Sequence, residues 1–131
     1  MQQYLQILPA VCLLVFIAIT FLFSFIDKVT DWNGNLSFLQ THFKDTFVVP
    51  LLPFTLFLIT ILELIAGVLA IIGIVYLFAS NNAFIAIVSC IISLIVLFIF
   101  LIGQRIAKDF DGAMKITIYI IAVVLCLYFL I

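Results

Sequence analysis

An all-α, integral membrane four-helix bundle is the fold the sequence predicts, with a short interfacial amphipathic helix between its first and second spans. Three observations lead there. The 131 residues are 69% hydrophobic and only 8% charged, whereas soluble domains run nearer half apolar and a quarter charged. The apolar residues gather into four runs, at about 5–26, 50–78, 83–103 and 113–131, lengths that suit the hydrocarbon core of a bilayer. The charged residues, Glu63 and Lys115 excepted, sit in the two polar segments that follow the first and third runs. A water-soluble globule is thereby excluded, and a net charge of −1 leaves no basic footprint for nucleic acid.

The first run opens behind Tyr4, placed as an interfacial anchor, and closes at Asp27-Lys28, the first charges in the chain. It lacks the basic lead-in and small-residue cleavage site of a secretory signal and is too long for one, so it is expected to remain as a span. Next, Trp32-Asn33-Gly34-Asn35 reads as a turn, with Asn35 able to cap a following helix. Leu36, Leu39, Phe43 and Phe47 then recur at helical spacing, while Ser37, Thr41, Lys44 and Asp45 point elsewhere. That predicts an amphipathic helix at about 36–47 lying in the membrane interface, with Trp32 at headgroup level.

Pro50 and Pro53 start the second span, where a missing N–H costs little. Glu63 lies roughly 20 Å along that helix from Pro50, near the bilayer midplane, where a charge costs several kcal/mol. Glu63, Ala66, Gly67, Ala70 and Ile74 share one helical face. Ala66, Gly67 and Ala70 let a neighbouring backbone approach, as association surfaces in lipid do, so Glu63 is expected to face the bundle interior. Thr60, one turn earlier, can support it by hydrogen bonding.

Ser80-Asn81-Asn82 is a tight, uncharged turn that fits only an antiparallel helical hairpin. The third span then brings Ser93 to about the depth of Glu63. Residues 103–112 form the second polar loop, and the fourth span carries Tyr119 and Tyr128. Lys28, Lys44, Arg105, Lys108 and Lys115 all fall on one side of the membrane. The positive-inside rule puts that side in the cytoplasm and both termini outside.

Three motifs stand out together. The first span ends in Phe25-Ile26-Asp27-Lys28; a loop with an interfacial helix follows; and the second span carries Glu-Leu-Ile-Ala-Gly-Val-Leu-Ala-Ile-Ile-Gly at 63–73. In this the chain resembles the DoxX family of small four-helix bacterial membrane proteins, and Gly-Gln-Arg-Ile-Ala-Lys-Asp at 103–109 resembles a variant within it. The resemblance implies a multi-pass protein of the bacterial inner (cytoplasmic) membrane. It also implies a small accessory subunit of a larger hetero-oligomeric assembly, linked to quinone or respiratory redox chemistry and without catalytic activity of its own. The cofactor expectation is none within the chain, with quinone or lipid contact. His42 is the only histidine, so haem ligation by two histidines of this chain is excluded. Two other readings stay open: a small carrier or channel for a hydrophobic or protonatable solute, and a purely structural scaffold.

Glu63 with Lys28, Arg105 and Asp109 forms the candidate site, with Ser93 and Thr60 nearby. Long Lys and Arg side chains reach along helices, so a polar pocket open to the charged side is expected, with Glu63 at its base. It would bind a quinone head group or relay a proton. A buried carboxyl without a close cation is expected to stay mostly protonated. The plainer reading makes Glu63 a neutral or paired group that fixes helix register, Asp27-Lys28 an interfacial cap, Arg105 a helix-end anchor and His42 a solvated surface residue. Cys12, Cys90 and Cys126 lie inside apolar runs, form no C-x-x-C and read as small hydrophobes.

Overall fold

The computed structural model describes residues 2–131. Five α-helices follow in order: α1 (Gln2–Thr30), α2 (Trp32–His42), α3 (Leu52–Ser80), α4 (Phe84–Ile106) and α5 (Phe110–Leu130), with a 3-10 turn at Val49–Leu51 before α3. α1, α3, α4 and α5 are each long and apolar enough to cross a membrane, and the chain is a multi-pass membrane protein. α3 packs on α1 and α4, and α5 closes the ring between α4 and α1. The core runs from Leu14 and Ile17 through Ala66 and Ala70 to Cys90 and Val123. Phe23, Phe57, Phe98 and Ile121 point outward and are exposed, as side chains in contact with lipid must be.

Close approach of the helices rests on small residues of α3. A Cβ at Gly73 would lie 2.8 Å from the Cα of Ala86, and one at Gly67 would lie 2.6 Å from Leu22 Cγ. Gly67 thus admits α1 and Gly73 admits α4. Ser89 of α4 donates across to the Ala66 carbonyl at 2.8 Å, tying α4 to the same face. The α3–α4 turn is built by Asn81, the left-handed residue that ends α3 at φ 52°. Its N–H donates to Leu77 O at 3.2 Å, and that of Asn82 to Tyr76 O at 3.3 Å, which satisfies carbonyls the helix end would leave free. The Asn82 side chain then accepts the Phe84 N–H at 2.9 Å.

Several boundaries differ from the expected ones. α1 runs through Asp27-Lys28 to Thr30, so Lys28 belongs to a helix whose C-terminal dipole favours a cation. α2 starts at Trp32, because Asp31 rather than Asn35 is its cap and accepts the Gly34 N–H at 3.2 Å. The Trp-Asn-Gly-Asn segment is therefore the first turn of a helix. α2 also stops at His42 rather than 47, and Asp45 takes a left-handed φ of 67° in the turn beyond it. Phe43 is buried, whereas Phe47 has left the helical register and is 76% exposed. The second polar loop shrinks to residues 107–109, since α4 continues to Ile106 and Asp109 caps α5 by accepting the Gly112 N–H at 2.9 Å.

Candidate functional site

Glu63 stands near the middle of α3 and faces α1. Its Oε1 lies 2.8 Å from Lys28 Nζ; the carboxyl side chain is 1% exposed and that of Lys28 13%. Helical side chains lean toward the N-terminus, so a lysine in the last turn of α1 reaches back into the bundle. One turn earlier, the Ser24 hydroxyl accepts from Lys28 at 2.6 Å. The Phe100 ring centroid of α4 lies 5.8 Å from the same ammonium. Among the described residues no donor meets Glu63 Oε1 in hydrogen-bond geometry, so its short contact with Lys28 is an ion pair. Desolvating two such groups is costly, and their attraction roughly offsets that cost; stranding either one alone is what destabilises.

The remaining expected members do not join this pair. Thr60 donates to Leu56 O at 2.6 Å, and Ser93 to Ser89 O at 2.8 Å; each hydroxyl serves its own helix rather than the carboxyl. Arg105 is exposed at the end of α4, its guanidinium 4.9 Å from the Phe110 ring centroid. Asp109 lies elsewhere in the charged end, with its Oδ2 3.6 Å from His42 Nε2. Ala66, Gly67 and Ala70 are buried on the α3 face that meets α1 and α4.

A cavity of about 460 Å³ opens at the charged end beneath α2. Its walls include Leu56 and Ile59 of α3, Phe100 of α4 and Phe43, the residue that ends α2. Lys28 lines it and Glu63 does not, so the cation, rather than the carboxyl, is the charge that the cavity presents there. His42, Gln104 and Asp109 supply the polar part of another wall. His42 Nε2 is 2.8 Å from Gln104 Oε1, and the ring stacks on Phe38 with centroids 5.5 Å apart. The same nitrogen lies 3.6 Å from Asp109 Oδ2, so two acceptors converge on it. Gly112 makes room for this cluster: a Cβ there would lie 2.7 Å from both Gln104 Nε2 and Asp109 Oδ2.

The part of this arrangement that sequence reasoning missed is the pairing of His42 with Gln104, 62 residues apart. One local signal existed. His42 follows Leu39 by three positions, which places it on the inward edge of α2. Cys90 and Cys126 are buried in the core as free thiols, and Cys12 is exposed on α1. Among the described residues no group of three His, Cys, Asp or Glu could hold a metal ion.

No protein-family model, curated protein or solved structure matches the chain.

Proposed function

We propose that this chain is a DoxX-like, non-catalytic accessory subunit of a larger assembly in the bacterial inner membrane, linked to quinone or respiratory redox chemistry. One observation carries the reading. Lys28 and Glu63, one from each of the first two segments that bear the resemblance, come from different helices and lie 2.8 Å apart between α1 and α3, the carboxyl buried and the lysine nearly so. The pair fixes the register of two spans and places an ammonium on the wall of the cavity at the charged end. Apart from the 31–51 segment that carries α2, the connections between spans are three residues long, so hetero-oligomeric partners would meet this chain through its lipid-facing helix surfaces, α2 or the 107–109 loop.

Purification in a mild detergent followed by mass spectrometry tests the proposal, and the expected result is stoichiometric co-purification of oxidoreductase subunits. A second reading, a small carrier for a protonatable solute, is favoured by the same buried carboxyl standing behind an open cavity. Its signature is a self-associated oligomer whose uptake activity is lost in Glu63→Gln. Unaltered assembly and activity in that variant would leave only the scaffold.

A further inference from the structure

We infer that the cavity beneath α2 is a binding site for an uncharged lipophile, an apolar body ending in a hydroxyl or carbonyl oxygen. This rests on the cavity alone and stands whether or not the chain joins an assembly. Its volume, about 460 Å³, falls within the range of small-molecule sites, which are mostly apolar with a few placed polar groups. The exposed lining residues Phe38, Leu51 and Ile102 are all apolar, so the entrance suits a ligand arriving from the bilayer.

Charge balance selects the head. Lys28 is the cation on the wall and is already matched by Glu63 at 2.8 Å. Asp109 is the anion on the wall; its carboxylate caps α5 through Gly112 N–H at 2.9 Å and lies 3.6 Å from His42. An anionic head would meet Asp109 and compete with Glu63 for Lys28. A cationic head would face Lys28 itself. The anion would find no free counter-ion and the cation only Asp109, already engaged at the α5 cap, so each would pay to desolvate its charge in a largely apolar space. An uncharged oxygen meets no such penalty. The His42 ring, the Gln104 amide and the Thr55 hydroxyl line the cavity, and each is of a type that can exchange a hydrogen bond with it.

Two sources share this chemistry, a neutral glyceride and a prenylated quinone, and the test separates them. The purified protein in detergent is offered monoolein, a prenylated naphthoquinone, oleyl phosphate and oleylamine near neutral pH. Adducts are counted by native mass spectrometry, and the unfolding temperature is followed for each. We expect at least one neutral probe to bind and stabilise at a concentration tenfold or more below either charged probe, and the better of the two names the source. Gln104→Leu and Thr55→Trp, each checked for wild-type helicity by circular dichroism, should weaken that binding tenfold or more; if one misfolds, the other decides. A charged probe binding as tightly as the neutral ones, no binding of either neutral probe, or undiminished binding in the folded variants would overturn the assignment.

Discussion

Lys28 Nζ and Glu63 Oε1 stand 2.8 Å apart, although one belongs to the last turn of α1 and the other to the middle of α3. The carboxylate is far from either end of its own helix, and its counter-ion is delivered by a flexible side chain rooted close to the polar surface. A mid-helix acid is thereby neutralised without a second charged residue being rooted in the middle of a neighbouring span. The packing around it is close: a Cβ at Gly67, one turn along α3, would collide with Leu22 of α1.

Lys28→Met strands the carboxyl and should lower stability by about 3–5 kcal/mol, whereas Lys28→Met combined with Glu63→Leu should return to within about 1 kcal/mol of wild type. Reversible unfolding in mixed detergent measures both. Additive losses in the double variant would show that the two residues act independently.

Glycine substitutions should rank by what each Cβ meets. At Gly73 the obstacle is the Ala86 backbone, 2.8 Å away, whereas at Gly67 it is chiefly the Leu22 side chain. Gly73→Ala is therefore expected to cost about 1–3 kcal/mol, as overpacking does when a backbone must move. Gly67→Ala should cost less, because Leu22 can change rotamer. The same unfolding assay decides the order.

The two serines of α4 should separate as well. Ser89 donates to another helix, at Ala66 O, and Ser93 to its own, at Ser89 O. Interhelical bonds of this kind contribute about 0.6 kcal/mol on average and up to about 1.7 in a membrane protein. Ser89→Ala should show a loss in that range and Ser93→Ala a smaller one.

Membrane sidedness follows from the placement of charge. In a variant lacking Cys12, single cysteines at Asn81 and at Lys108 should react with an impermeant reagent from opposite faces, Lys108→Cys from the cytoplasmic one. Labelling of both from the same face would break the four-span topology, and the reverse pattern would overturn the positive-inside assignment.

The spans were legible because hydropathy alone defines them, and the burial of Ala66, Gly67 and Ala70 followed from small residues sharing one face with Glu63. The ends of α1 and α2 were not. Asp27-Lys28 looks like an exit from the membrane, yet the helix continues to Thr30, and only tertiary placement shows that Lys28 turns back inside. Trp-Asn-Gly-Asn carries turn residues, but the Asp31 side chain caps that segment and makes it helical. Thr60 and Ser93 were natural partners for a buried acid by depth, but each hydroxyl finds a carbonyl one turn back on its own helix. The contact between His42 and Gln104 depends on how α2 is placed against the rest of the bundle; helical spacing turns His42 inward but does not name its partner.

The turn that joins α3 to α4 has a bearing on how the protein enters the bilayer. Its tip, Ser80-Asn81-Asn82, carries no ionised group, and the N–H groups of Asn81 and Asn82 fold back onto the Leu77 and Tyr76 carbonyls of α3. The two helices can therefore be delivered together as a hairpin whose leading end is only three small polar residues, while every lysine, arginine and aspartate lies toward the opposite end of the bundle. Ser80→Lys, at an exposed position in the last turn of α3, would add roughly 2.5–3.5 kcal/mol to that passage while it lay at the bilayer centre. The hairpin tip is thus the place where one substitution should slow biogenesis without disturbing the finished fold.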